Sequence, residues 1–250
     1  MSARRKQAVR KQTATVRRWP RLSLWLALPL LIVGLLGWGV AVLLDPATLP
    51  VREVKVQGRF EHLNQAMLSR ALQGDFSVGF LRTDVERIRA DVQALPWVAH
   101  ATARRQWPDT IVVTIEEQQP VAIWEGKGLL NAEGEIFYPV KATFPAGLPE
   151  FRGSADETRL IVAAWRESQA VFEQLGRRIV SLELDRRHVL RMVLDDGVEV
   201  IAGREDVAQR LSRLVGLYRD ALQGRGADIE RIDLRYANGI AVRWKKGQAG

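Results

Sequence analysis

Cysteine is absent from the 250 residues, so disulfides and thiolate metal sites are excluded. Histidine is nearly as scarce: His62, His100 and His188 are the only three, none at metal-ligand spacing from another histidine or a carboxylate pair. Glycine-rich phosphate loops, nucleophile elbows and Ser-x-x-Lys motifs are missing. The adjacent carboxylates Glu116-Glu117 would point to opposite faces of a strand, and Asp195-Asp196 reads as a turn signal. These absences argue against an enzyme and leave no cofactor, metal or small-molecule substrate to expect. Internal repeats and low-complexity tracts are also lacking.

Acidic residues are missing from the first 21 positions, which hold Arg4, Arg5, Lys6, Arg10, Lys11, Arg17, Arg18 and Arg21. Those eight come out of 37 basic residues and leave 29 against 29 acidic ones, so the net charge of +8 belongs to the tail. A nucleic-acid partner is therefore not expected. Charge then vanishes altogether over Leu22–Leu44, LSLWLALPLLIVGLLGWGVAVLL. As a helix this stretch would span about 34 Å, enough for a hydrocarbon core of about 30 Å. Gly39-Val40-Ala41 loosely fits a cleavage site, but the run exceeds the ~7–15 residues of a signal peptide's apolar region. The reading is an uncleaved transmembrane anchor (22–44) behind a basic cytoplasmic tail (1–21), with the remainder outside. Trp19 and Trp25 suit the interface, and Gly37 with Ala41 gives a small-xxx-small pair that would support helix association.

After the connector DPATLPV comes a small α+β unit over 51–117. Val54 and Val56 alternate in a strand, Asn64 caps a short helix, and Thr83 with Glu86 has capping-box spacing for a second. That second helix puts Val85, Ile88, Val92 and Leu95 on one face and stops before Pro96. Two strands come next, with Ile111, Val113 and Ile115 on one face of the latter. From about 120 to 246 lies a strand-rich domain with two helices. It contains a hairpin turning at Ala132-Glu133-Gly134, a helix opened by Ser154 and Glu157, strands joined through Asp196-Gly197, and a helix over 206–222. Residues 247–250 form a short tail.

RYANGIAVRW, Arg235 to Trp244, closes the folded chain as two strands around a turn. A three-residue loop, Ala237-Asn238-Gly239, would pair Tyr236 with Ile240, Leu234 with Val242 and Ile232 with Trp244, and keep the apolar face intact. The final strand then leaves an unpaired edge, which either binds nothing or serves as a rail for an added strand. Arg243, Lys245 and Lys246 fit edge protection or an acidic partner. Arg104 and Arg105, in ARRQWPDT, are either a solvated strand end or a binding surface.

VREVKVQG, LPWV and RRQWPDTIVVTIEEQQPVAIW in the first unit, with LLNAEGEIF and IERIDLRYANGIAVRW in the second, resemble the bacterial FtsQ/DivIB cell-division family over nearly the whole chain. RRQWPDT together with DLRYANG is the specific part, and the short tail resembles the Gram-negative form. The resemblance implies a POTRA domain and a β domain in a non-enzymatic inner-membrane scaffold of the divisome at the septum. It implies periplasmic domains that bind FtsB and FtsL and help recruit and regulate septal peptidoglycan synthesis. By motif position, Arg235, Tyr236, Asn238, Gly239, Ile240, Val242 and Trp244 inherit the FtsB edge, with Arg187 from DRRHVL beside it. Asn238 stands where the family carries Ser, so a backbone contact transfers there more readily than a side-chain one. Arg104, Arg105 and Gln106 inherit a recruitment surface on the POTRA domain. An alternative function keeps the fold: a membrane-tethered POTRA protein that guides or chaperones exported polypeptides.

Overall fold

The computed structural model describes residues 22–73, 76–204, 206–218, 228–236 and 239–245. Expectations for the tail 1–21 with Trp19, the turn residues Ala237 and Asn238, Lys246, the tail 247–250 and the helix end 219–222 lie outside the described residues.

Helix α1 spans Leu22–Leu44. Its side chains are described from Leu28 onward, and they are apolar all round, with Leu30 71% and Trp38 69% exposed. Among the described residues no helix is long and apolar enough to cross a membrane, since 28–44 alone amounts to about 26 Å. The connector turns at once: the Asp45 carboxylate accepts from Ala47 N–H at 2.9 Å, and Phe80 N–H donates to the Leu49 carbonyl at 2.7 Å. Gly79, at φ +87°, lies so close to Pro46 that a Cβ would sit 2.9 Å from its Cα.

The next unit runs β1 (Glu53–Gln57), α2 (Gln65–Ala71), α3 (Val85–Gln93), β2 (Val98–Gln106) and β3 (Thr110–Glu117), the expected βααββ order. Its sheet is ordered β1-β3-β2, with β1 parallel and β2 antiparallel to β3. β3 is central because Ile111, Val113 and Ile115 form its buried face, and Val112 on the other face is buried too. Asn64 caps α2 as expected, its side chain accepting from Met67 N–H at 2.9 Å. The capping box on α3 needs correction. Asp84, not Thr83, is the cap, accepting from Glu86 and Arg87 N–H at 3.0 and 3.1 Å. Thr83 lies one residue before the cap, buried, with its hydroxyl donating to the Gly79 carbonyl at 2.8 Å.

Among the described residues nine strands form the second sheet, ordered β12-β11-β10-β9-β8-β7-β4-β5-β6. In chain order these are β4 (Pro120–Trp124), β5 (Gly128–Asn131), β6 (Ile136–Phe137), β7 (Glu150–Arg152), β8 (Ile179–Leu184), β9 (Leu190–Leu194), β10 (Glu199–Gly203), β11 (Ile229–Asp233) and β12 (Ala241–Trp244). α4 (Thr158–Glu173) packs against β8 and α5 (Val207–Leu217) against β10, around a core holding Phe151, Ile161, Phe172, Leu182 and Met192. The sequence pattern missed β7, which lies in the proline-containing stretch and pairs parallel with both β4 and β8. Ser154 makes no side-chain cap, which corrects the expected start of α4. The helix begins at Thr158, whose buried hydroxyl donates to the Gly134 carbonyl at 2.6 Å. The turns at Gly134 and Gly197 stand as expected, both with positive φ.

A polar joint links the ends of β3 and β5. The Glu117 carboxylate accepts from Glu61, His62 and Leu63 N–H at 3.0, 3.2 and 2.8 Å. Burial raises its pKa, but those backbone bonds outweigh burial and hold the carboxyl below its ordinary value. His62 stacks flat on Trp97, ring centroids 3.7 Å apart. Gln118 accepts from buried Asn131, whose own side-chain oxygen accepts from Glu133 and Glu135 N–H at 3.1 and 2.8 Å. The asparagine in LLNAEGEIF is thus a structural residue that holds the hairpin turn.

Candidate partner-binding edges

In the terminal hairpin β11 buries Ile232 and Leu234 on one face, and an irregularity between Ile229 and Arg231 allows Ile229 to be buried too, while Glu230 and Arg235 are exposed. β11 runs parallel to β10, and Leu234 N–H extends that pairing by donating to the Ile201 carbonyl at 2.8 Å. Pairing with β12 stops one residue earlier, at Asp233. The Asp233 carboxylate accepts Arg235 N–H at 3.0 Å and holds the Arg235 guanidinium at 2.7–3.1 Å. This Asx turn lifts the chain away from its partner strand. The guanidinium keeps the Asp233 carboxyl below the usual carboxylate range, and Arg235 is raised in turn.

That clasp corrects the expected register. Asp233 pairs with Ala241, Ile232 with Val242 and Arg231 with Arg243, whereas the three-residue loop would have set Ile232 against Trp244. The connection is longer by four residues, and the slip is two positions on the partner strand. An even slip leaves every side chain on its original face, so the apolar pattern could not distinguish the two registers. Ile240, Val242 and Trp244 are half-buried against the core, and Ala241 and Arg243 are exposed.

β12 ends the sheet, and among the described residues no strand lies beyond it. Lys245 N–H donates to the Asp228 carbonyl at 2.8 Å, so Lys245, Arg243 and Ala241 turn their backbone groups towards β11. By alternation the N–H and carbonyl of Val242 face outward. Tyr236 is 58% exposed beside the start of this edge. Trp244 instead lays its ring partly on the core, and Gly239 is half-buried. Asn238 lies outside the described residues.

Arg187 is exposed in the β8–β9 turn rather than on a strand, where Asp185 accepts from Arg187 and Val189 N–H at 2.8 and 2.9 Å. Because β8, β10 and β11 all finish at the same end of the sheet, this turn and Arg235-Tyr236 share that end. Three strand spacings separate them, about 14 Å. Arg104, Arg105 and Gln106 are all exposed at the far end of β2, 104 and 106 on one face and 105 on the other. They do not join the β12 group; β2 is an edge of the other sheet.

Two residues escaped the sequence pattern. Asp233 was legible in principle, since Asp-x-Arg at a strand end is an Asx-turn signal. Gln93 had no such signal: its carboxamide donates to the Ala99 carbonyl and accepts from Ala101 N–H, both at 2.8 Å, on the outer side of β2. A cleft of about 920 Å³ is lined by Arg59, Glu61, His100, Glu116, Gln119 and Glu133 among others. Among the described residues no group of histidines and carboxylates is arranged to hold a metal.

The family model described as "POTRA domain, FtsQ-type" matches residues 49–118, and "Cell division protein FtsQ/DivIB, C-terminal" matches residues 122–235. Curated relatives called "Cell division protein FtsQ" match along most of both chains. The one from Vibrio cholerae serotype O1 is 34% identical over 89% of this chain and 85% of its own. The one from Allochromatium vinosum is 34% identical over 86% of each, and the one from Coxiella burnetii 30% identical over 86% and 88%. With both domains matched in order and relatives of this identity spanning the chain, the protein belongs to the FtsQ/DivIB family of cell-division proteins.

Proposed function

We propose that this chain is a non-enzymatic inner-membrane scaffold of the divisome, which binds FtsB and FtsL through periplasmic domains and helps recruit and regulate septal peptidoglycan synthesis. Leu22–Leu44 is its single anchor. The continuous apolar exposure of 28–44 supports that role, since surface of this kind is stable in lipid rather than in water. The eight basic residues before it hold the N-terminus in the cytoplasm.

The observation that carries the reading is the outward backbone of Val242 on a terminal edge strand. An FtsB segment would add to this edge as a further strand, with main-chain bonds supplying affinity and neighbouring side chains supplying specificity. Tyr236 offers an aromatic contact beside the edge, Arg187 a cation at the same end of the sheet, and Arg235 shapes the turn through Asp233. Arg104, Arg105 and Gln106 form a separate recruitment surface on the POTRA domain. A functional fluorescent copy of the full chain is expected at mid-cell, co-purifying with FtsB and FtsL. Uniform fluorescence around the cell, with capture of unfolded clients instead, would favour the alternative of a tethered guide for exported polypeptides.

A further inference from the structure

From Gly39 to Val51, around the outer end of Leu22–Leu44, the chain has no aromatic and no basic residue, whereas the other end carries Trp19, Arg21 and Trp25. Membrane spans are ordinarily held at both surfaces by such residues. The fold supplies the missing ones from further along the chain. The connector turns directly after α1, with Thr48 N–H donating to the Asp45 carbonyl at 3.0 Å. The one-turn helix Phe76–Val78 leads into Gly79 and Phe80, which pack on that turn. A Cβ on Gly79 would lie 2.9 Å from the Pro46 Cα and 3.3 Å from the Leu49 carbonyl oxygen, to which Phe80 N–H donates at 2.7 Å. Pro46 is two residues past Leu44, so the two lie at most about 7 Å apart. The headgroup layer is itself about 5–8 Å deep. Gly79 and its neighbours are therefore held at headgroup depth, whatever the tilt of the anchor. Their composition suits that layer. Phe76, Val78 and Leu81 are only half-buried, and Ser77 and Arg82 are exposed. Phe80 is fully buried, which fixes the loop on its protein side. Arg82 and Thr83 N–H both donate to the Gly79 carbonyl, at 3.2 and 3.0 Å, and keep the loop in shape.

We propose that the loop Phe76–Arg82 is a membrane foot, which rests on the phospholipid leaflet from which α1 emerges. Phe76, Val78 and Leu81 enter between the headgroups, and Arg82 bonds a lipid phosphate. This rests on reading Leu22–Leu44 as the anchor, and it adds a second lipid contact inside the stretch that the POTRA model matches, residues 49–118. The bilayer is the occupant because the loop is bound to the connector within the depth of the headgroups. Asp45, the acidic residue nearest the anchor, turns its carboxylate onto Ala47 N–H at 2.9 Å, so its charge is partly satisfied within the connector. The foot seats the connector on the bilayer surface, and the chain leaves its anchor through a fixed joint instead of a free tether.

Because the chain has no cysteine, a single introduced one carries a spin label without background. The full chain is labelled through Ser77→Cys, through Leu36→Cys in α1 or through Ser212→Cys in α5, all three positions being exposed. Each is reconstituted in bilayers of phosphatidylethanolamine and phosphatidylglycerol. Collisions with oxygen, which concentrates in lipid, and with a water-soluble nickel chelate are read by power saturation. At Ser77 nickel accessibility is expected to be about threefold below that at Ser212, with oxygen accessibility equal or higher. Adding Arg82→Glu should return nickel accessibility towards the Ser212 value; Arg82→Gln takes its place if the double variant melts below its parent. Shielding unchanged by the charge variant overturns the phosphate contact. Low nickel and low oxygen at Ser77 would mean cover by protein, and values equal to those at Ser212 would mean open water. Either result overturns the foot, while a Leu36 label shielded from nickel leaves the anchor standing. A Leu36 label open to nickel would sink the anchor reading and the foot with it.

Discussion

β12 and β2 both end a sheet, yet the chain finishes them in different ways. On β12 the control is internal to the hairpin: Asp233 stops the pairing early and Arg235 locks the turn, and among the described residues no strand lies beyond it. On β2 the control comes from outside, because Gln93 reaches from a helix and takes two of the edge's hydrogen-bonding groups. Every sheet edge is an aggregation hazard. A protein can therefore leave one edge available and shorten another with a single amide.

The sharpest way to break this contrast is to place proline at adjacent positions of β12. Arg243→Pro deletes a donor that faces β11 and is expected to unfold the hairpin, costing about 3 kcal/mol or more by thermal melting. Val242→Pro deletes an outward donor. It should lower FtsB capture by the full chain at least tenfold, with a small loss of stability from trimmed packing. Unchanged capture by a folded Val242→Pro variant would refute strand addition at β12.

Acid separates the joint from the edges. The Glu117 carboxyl is depressed in the folded chain, so the unfolded chain takes up its proton first as pH falls. Its contribution is complete above the unfolded value of about 4.3 and is lost as pH falls through the folded value. Glu117→Gln should destabilise the chain by about 1–3 kcal/mol at pH 7, with the gap from the parent narrowing below pH 4 in denaturant titrations. A gap that is constant with pH would mean the carboxylate's charge is irrelevant. Smaller still, Asp233→Ala removes a half-exposed clasp and is expected to cost about 1 kcal/mol, with loosened amide protection at Arg235. Gln93→Ala should cost about the same at Ala101. Tyr236→Ala should leave stability within about 0.5 kcal/mol while weakening FtsB capture, which separates contact from folding.

Much of the fold was legible because periodicity and turn chemistry are local. The βααββ order, the Asn64 cap, the Gly134 and Gly197 turns and the edge position of the last strand all appear where the pattern set them. Two misreadings concern helix starts. Thr83 bonds Gly79 from one residue before the helix cap, which is Asp84. At α4, Thr158 bonds Gly134 and Ser154 makes no cap. β7 was missed because three residues behind prolines carry too little alternation, and only its neighbours β4 and β8 define it.

By itself the sequence determined the strands and helices other than β7, where the charge sits, and which face of most strands is apolar, because each depends on residues within one element. The register of the last hairpin and the covering of β2 were decided only in three dimensions. A slip of two residues preserves every face, so the choice fell to the Asp233–Arg235 clasp and to Leu234 pairing with β10. Likewise, nothing near Gln93 in sequence says that its amide will meet β2; that depends on where α3 ends relative to the strand beside it.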